Sequence, residues 1–124
     1  MRTAVQDSGD GAERLVADRL AASGWQILAR NLRAGRGELD IVAVDPGPPR
    51  TLVIVEVRWR RRRDFGLAEE SLDHRKRAHL RGAMGRLLAD ELPEGVALPR
   101  LPLRVDLVVV EPDDLIRHHR HIAL

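Results

Sequence analysis

The sequence predicts a single α/β domain over residues 1–124, in which a mixed β-sheet is flanked by helices with the element order α-β-β-β-α-β. Two segments carry apolar residues at helical spacing, four shorter segments are rich in apolar and β-branched residues, and glycine- or proline-containing turns separate them. The 124 residues suffice for one compact domain with a modest core. We expect that core within residues 11–110, followed by a short C-terminal tail at residues 111–124.

The first half of the chain is predicted to form a helix and three strands. Apolar residues recur at helical spacing over residues 11–23, and Gly24 is suited to end that helix. Strands are predicted at residues 25–31, 38–44 and 51–59. The connections between these strands are short, which favours an antiparallel arrangement.

The second half of the chain is predicted to add one helix and one strand. An apolar stripe predicts a helix over residues 72–92, which Pro93 ends, and a buried strand follows at residues 103–110. Because a helix joins the third and fourth strands, these two strands can run parallel, and the sheet is then mixed.

The composition excludes several classes of protein. The chain has no cysteine, which excludes disulfides and thiolate metal sites. Its longest apolar runs are too short to span a bilayer, and its first ten residues lack the apolar core of a signal peptide. We therefore expect a soluble cytoplasmic protein with no membrane partner.

The basic charge of the chain is carried almost entirely by arginine. The formal net charge is +2 and the sequence pI is about 10.3, and Lys76 is the only lysine among the 21 basic residues. One basic cluster comprises Arg58, Arg60, Arg61, Arg62 and Arg63. Such a cluster is either a solvated surface or a contact for nucleic-acid phosphates, and we predict Arg60 to Arg63 as phosphate contacts. Because aromatic residues are scarce, nucleic-acid binding would depend on phosphates and shape rather than on base stacking.

Two carboxylates on neighbouring predicted strands form the candidate site. Side chains alternate across a strand, so Asp40 shares a face with Glu38, and Glu56 shares a face with Arg58. Burying Glu56 within an apolar run is costly unless it is paired or binds a metal. If the two strands are neighbours, Asp40 and Glu56 converge, and their oxygens suit Mg²⁺ or Mn²⁺. The alternative is that both acids form ion pairs with arginines of this arginine-rich chain.

Lys76 is predicted to supply a cation beside these acids. It lies within the apolar stripe of the second helix, between Leu72 and Leu80, so its side chain should point toward the sheet. The alternative is that its methylene stem covers apolar surface while the ammonium reaches solvent.

Two further groups of residues carry weaker predictions. The C-terminal histidines, His118, His119 and His121, either bind a transition metal or belong to an exposed tail. Glu38 either assists Asp40 or belongs to the turn that precedes it.

Several motifs occur in an order that resembles one known family. They include Gly11-Ala12-Glu13, Gly37-Glu38-Leu39-Asp40-Ile41-Val42, Val53-Ile54-Val55-Glu56-Val57-Arg58 and Lys76. Over residues 11–110 the chain resembles the uncharacterised YraN family, which belongs to the restriction-endonuclease-like superfamily with its PD-(D/E)xK site. That superfamily also includes archaeal Holliday-junction resolvases, which the family resembles.

The resemblance implies a role for each matching residue. Asp40 and Glu56 match the metal-ligating acids, and Glu13 matches an acidic residue of the first helix that can face the same site. Val57 would contribute its backbone carbonyl to the metal. Arg58 occupies the position of the motif lysine; it keeps the positive charge but stays protonated, so it cannot act as a general base.

The resemblance leads to three functional predictions, of which one is preferred. The leading one is a metal-dependent endonuclease that hydrolyses DNA, including branched DNA if the likeness to resolvases extends that far. The second is a catalytically weak or inactive nucleic-acid-binding module of the same fold, which Arg58 favours and Lys76 opposes. The third is a purely structural interaction protein. Resolvase-type enzymes act as homodimers on junctions with two symmetric strands, although the sequence itself shows no dimer interface.

Overall fold

Two helices and five strands make up the part of the chain described by the structure, a computed structural model that covers residues 9–60, 72–93 and 95–124. Their bounds are α1 Gly9–Ala22, β1 Gln26–Ala34, β2 Gly37–Asp45, β3 Thr51–Trp59, α2 His74–Leu88, β4 Leu103–Glu111 and β5 Leu115–His119. A 3-10 turn at Pro112–Asp114 joins the last two strands. Neither helix of the described ranges is long and apolar enough to cross a membrane.

The strands form one mixed sheet in the order β1-β2-β3-β4-β5. The pairs β1–β2, β2–β3 and β4–β5 are antiparallel, and β3 and β4 are parallel. The crossover from β3 to β4 contains α2, as the sequence predicted, because a parallel pair cannot be joined by a tight turn. The α/β class and the mixed sheet are therefore confirmed.

The two helices cover opposite faces of the sheet. On one face α1 packs Ala12 and Val16 against inward-facing residues such as Ile41 and Val55. On the other face α2 contributes Leu80, Ala83 and Leu87 to a core with residues of β2, β3 and β4. Because both faces are covered, β3 and β4 are apolar along nearly their whole length, which agrees with the pattern of strands buried on both sides.

The second helix is shorter than the sequence pattern predicted, for reasons of capping. Asp73 caps its start, since its side chain accepts a hydrogen bond from the Lys76 N–H at 2.8 Å. Its end is set by Asp90, whose backbone is left-handed with φ 56°. The Asp90 N–H donates to the Leu87 carbonyl and the Glu91 N–H donates to the Arg86 carbonyl, which is the hydrogen-bond pattern of a Schellman motif.

The segment predicted as a C-terminal tail instead contributes a fifth strand to the sheet. Asp113 and Asp114 adopt left-handed backbone angles with φ 64° and 58°, a conformation that aspartate tolerates better than most residues, and the chain reverses there. Residues Leu115–His119 then pair antiparallel with β4, with His118 opposite Val108. His118 and His119 therefore lie in the sheet and are partly buried, whereas the exposed His121 follows it.

Candidate active site

Asp40 lies where β2 and β3 separate. The last residue pair between these strands is Ile41 and Val55, so one further step of the antiparallel register places Asp40 opposite Glu56. Instead of another backbone bond, the Val57 N–H donates to the Asp40 carboxylate (Oδ2) at 2.8 Å. This bond secures the carboxylate of Asp40 against β3, immediately beside Glu56.

An irregularity in β1 and β2 accompanies this separation. Leu39 and Val42 both pack in the core beneath α2, although they are three residues apart and strict alternation would place them on opposite faces. On β1, Asn31 lies between the residues paired with Leu39 and Ile41, and its backbone is left-handed with φ 52°. The regular alternation assumed for residues 38–44 is therefore interrupted around Asp40.

Glu56 is the most deeply buried acid of the site, with 2% of its surface exposed. Its Oε1 lies 3.0 Å from the ammonium (Nζ) of Lys76, while its Oε2 is buried without a hydrogen-bond partner among the described residues. Burial first, and then the charge of Asp40, raise the pKa of Glu56 to about 7, although the Lys76 ammonium opposes that rise. A buried carboxylate oxygen without a partner is an atom that a bound cation would satisfy.

Lys76 reaches this site from the first turn of α2. Its side chain is 26% exposed, and its ammonium forms the ion pair with Glu56 rather than extending fully into solvent. The ion-pair partner of Glu56 is therefore Lys76, the only lysine of the sequence, and not an arginine.

Glu13 lies on α1 and is engaged by an arginine. Its residue is 7% exposed, and Oε1 accepts a hydrogen bond from Arg30 Nε at 3.2 Å. Burial first, and then the charge of Asp40, raise the pKa of Glu13, while Arg30 lowers it. Within the described ranges no group of three or more His, Cys, Asp or Glu residues is arranged to hold a metal ion, so Glu13 is not joined with Asp40 and Glu56 into such a group.

Arg58 shares the α2 face of the sheet with Glu56. The register pairs Glu56 with Leu107 and Arg58 with Val109, and alternate residues of a strand face the same side. The Nε of Arg58 is buried and has no hydrogen-bond partner among the described residues. The structure thus brings Lys76, and not Arg58, into contact with the acids.

The basic cluster is only partly described. Arg60 follows the end of β3, and its N–H donates to the Val110 carbonyl at 2.9 Å. Arg61, Arg62 and Arg63 lie outside the described residues, so their predicted contact with nucleic acid stays a prediction.

Three residues near the acids were not predicted from the sequence to belong to the site. Asn31, Arg36 and His79 line a cleft that Asp40 and Lys76 also line. His79 lies three residues after Lys76, and residues at that spacing are neighbours on a helix surface. Helical spacing could therefore have predicted that His79 lies near Lys76. No sequence pattern indicated that β1 and β2 would bring Asn31 and Arg36 to the same place.

Comparison with known proteins shows a family that matches most of this chain. The model of the uncharacterised protein family UPF0102 matches residues 12–110. A UPF0102 protein of Roseiflexus castenholzii is 44% identical over 103 residues, which cover 82% of this chain and 77% of that protein. A UPF0102 protein of Dehalococcoides mccartyi is 36% identical over 106 residues (86% and 81%), and one of Pseudomonas aeruginosa is 38% identical over 115 residues (91% and 85%).

Proposed function

The chain belongs to the uncharacterised protein family UPF0102, and we propose that it is a metal-dependent endonuclease that hydrolyses DNA phosphodiesters. The family membership confirms the resemblance to the YraN family. The observation that carries the proposal is the convergence of the partly buried Asp40 and Lys76 with the buried Glu56, one of whose carboxylate oxygens has no partner among the described residues.

The residues present suit a hard divalent cation such as Mg²⁺ or Mn²⁺. Asp40 and Glu56 offer carboxylate oxygens, and the unsatisfied Oε2 of Glu56 is available to a cation. Both ions prefer oxygen ligands and keep part of their hydration, so two carboxylates and the carbonyl of Val57 would suffice to hold one. Glu13 stays a predicted further ligand, because it would first have to leave Arg30.

The bound cation would activate an attacking water and neutralise charge on the phosphate. Lys76 supplies a second positive charge from the protein itself, at a partly buried site. Its ammonium beside Glu56 can stabilise charge that develops on the phosphate oxygens. Lys76 thereby takes the part that the motif lysine would have at position 58, where Arg58 can bind phosphate but cannot accept a proton.

The test is cleavage of linear, flapped and four-way-junction DNAs in the presence of Mg²⁺ or Mn²⁺. We expect Asp40→Asn to lower the rate by at least about 10²- to 10³-fold, as removal of one group that stabilises the transition state does in other enzymes. The control is Asp90→Asn, at the far end of α2. Undiminished cleavage by Asp40→Asn would refute the proposed site.

A DNA-binding module without catalysis is the second candidate function. It is favoured by Arg58 at the position of the motif lysine and by the engagement of Glu13 with Arg30. The same panel separates the two functions: binding of DNA without cleavage under any metal condition would select the binding module.

A further inference from the structure

A cleft of about 350 Å³ lies between α2 and the β1–β2 hairpin, next to Asp40 and Lys76. Apart from the partly buried Gly37, Asp40 and Lys76, its lining residues divide by burial into two groups. The buried group is apolar and consists of Leu39, Leu80 and Ala83. The exposed group is polar and consists of Asn31, Arg36, Glu38 and His79. The cleft therefore has an apolar floor and a polar rim, with the proposed active site at one end.

The hairpin wall of this cleft approaches α2 most closely at Gly35. Gly35 and Arg36 form the two-residue turn, with Gly35 at φ +66° in its first position, where such turns favour glycine. A Cβ at Gly35 would lie 2.3 Å from Arg86 Nε of α2, and a Cβ at Gly37 would lie 4.0 Å from the Cβ of His79. The first Cβ would meet the flexible end of the Arg86 side chain, whereas the second would be in ordinary van der Waals contact, so Gly35 alone marks a close approach of the hairpin to α2.

Arg36 is a cation at the rim of this cleft that is not paired with an acid of the described residues. Some arginines of the described ranges, such as Arg30, Arg104 and Arg117, form ion pairs with carboxylates, and others, such as Arg50, do not. Arg36 forms no ion pair with any residue in those ranges and is exposed at the tip of the hairpin. An exposed guanidinium without a carboxylate partner suits a phosphate, which it can bind through two parallel hydrogen bonds.

We infer that this cleft binds the sugar–phosphate unit that adjoins the scissile phosphate, with the sugar on the apolar floor and its phosphate on Arg36. The inference rests on the proposed function, because it takes Asp40 and Lys76 as the position of the scissile phosphate. The volume lies near the lower limit for ligand pockets, so the cleft suits one such unit and not a duplex. Glu38, two residues from Arg36 on the same hairpin, repels phosphate and limits the affinity.

The experiment measures binding without cleavage. Fluorescence anisotropy of a labelled DNA duplex is followed over a salt series in buffer free of divalent metal. We expect Arg36→Ala to weaken binding by about tenfold at low salt and to reduce the slope of log Kd against log salt by about 0.9, the value for one lost phosphate contact. Arg36→Lys should restore the slope, and Glu38→Gln should tighten binding.

The matched control is Arg50→Ala, which removes an exposed arginine from the loop at the opposite end of β2. Equal slopes for Arg36→Ala and Arg50→Ala would overturn the cleft assignment, even if the wild-type protein cleaves DNA. A decrease in the slope of log Kd against log salt for Arg36→Ala alone, in a protein that does not cleave DNA, would support the cleft and reject the nuclease. Absence of DNA binding by the wild-type protein would overturn both.

Discussion

Glu56 on β3 and Asp106 on β4 are buried to a similar extent but lie in opposite electrostatic environments. Their exposed fractions are 2% and 0%, and the register pairs Asp106 with Val55, the residue before Glu56. Glu56 faces α2, whereas Asp106 faces the side of the sheet covered by α1, together with Val108. The two carboxylates are therefore near neighbours in the sheet that are separated by its backbone.

Asp106 is surrounded by donors that satisfy both of its oxygens. It accepts hydrogen bonds from Arg104 and from the His121 N–H, and its Oδ2 lies 2.8 Å from His118 Nε2. Burial alone would raise the pKa of Asp106, but the bonds from His118, Arg104 and the His121 backbone outweigh it and lower that pKa to about 2. Arg104 also bonds to Asp45 at 2.6 Å, which links β4 to the end of β2.

Burial has different consequences for these two acids because their carboxylates differ in the number of hydrogen-bond partners. Asp106 stays ionised because both of its carboxylate oxygens have hydrogen-bond partners, and these bonds connect β4 to β5 and to the C-terminal residues. Glu56 has one ion pair and one unsatisfied oxygen, and its pKa rises to about 7. A buried carboxylate with an oxygen that lacks a hydrogen-bond partner is a candidate for binding a cation, whereas a carboxylate with both oxygens satisfied has a structural role.

The largest expected effect is a difference in stability between variants of the two acids. Asp106→Asn removes one of the two charges that neutralise the partly buried Arg104 and places an amide donor among the donors around Asp106, and we expect it to lower the free energy of unfolding by about 3 kcal/mol. Glu56→Gln removes an unfavourable buried charge, so that variant should be at least as stable as the wild type at pH 8. Urea unfolding at pH 8 measures both; equal destabilisation by the two substitutions would remove the distinction.

The pH dependence of stability should also differ between them. The folded pKa of Glu56 is raised, so its contribution is present below pH about 4.5 and is lost as pH rises toward 7. Stability of the wild type relative to Glu56→Gln should therefore fall by about 1.4 kcal/mol per pH unit in that window. The folded pKa of Asp106 is lowered, so its contribution is present above pH about 3.8 and is lost as pH falls toward 2. Urea unfolding between pH 2 and 8 checks both signs; a flat difference for Glu56→Gln would contradict the first.

The smallest expected effect concerns a single donor to Asp106. His118→Ala removes one hydrogen bond from a carboxylate that keeps two other donors, and we expect a loss of about 1 kcal/mol. DNA cleavage should not change, because His118 lies on the face of the sheet opposite Lys76. Thermal unfolding and the cleavage assay together test this; a loss of cleavage in a fully folded variant would mean that the two regions communicate.

Much of the fold was predictable because its elements have strong local periodicity. The apolar stripe of α2 and the β-branched run of β3 identify these elements without reference to the rest of the chain. Boundaries were less accurate: α2 ends at Leu88 because Asp90 adopts a left-handed conformation, which local composition does not specify. β5 was missed because its polar sequence is typical of a tail, and it becomes a strand by pairing with β4.

The sequence by itself determined which residues are costly to bury: Glu56 in an apolar run, and Lys76 in the stripe of a helix. Alternation and helical spacing are local rules, so they indicated that these groups turn inward. Only the tertiary structure decided which partners they meet. It set Lys76 against Glu56, Arg30 against Glu13, and His118 against Asp106, and it formed the cleft between α2 and the hairpin. These contacts join residues far apart in the chain, and they depend on strand register and helix position, which local periodicity does not fix.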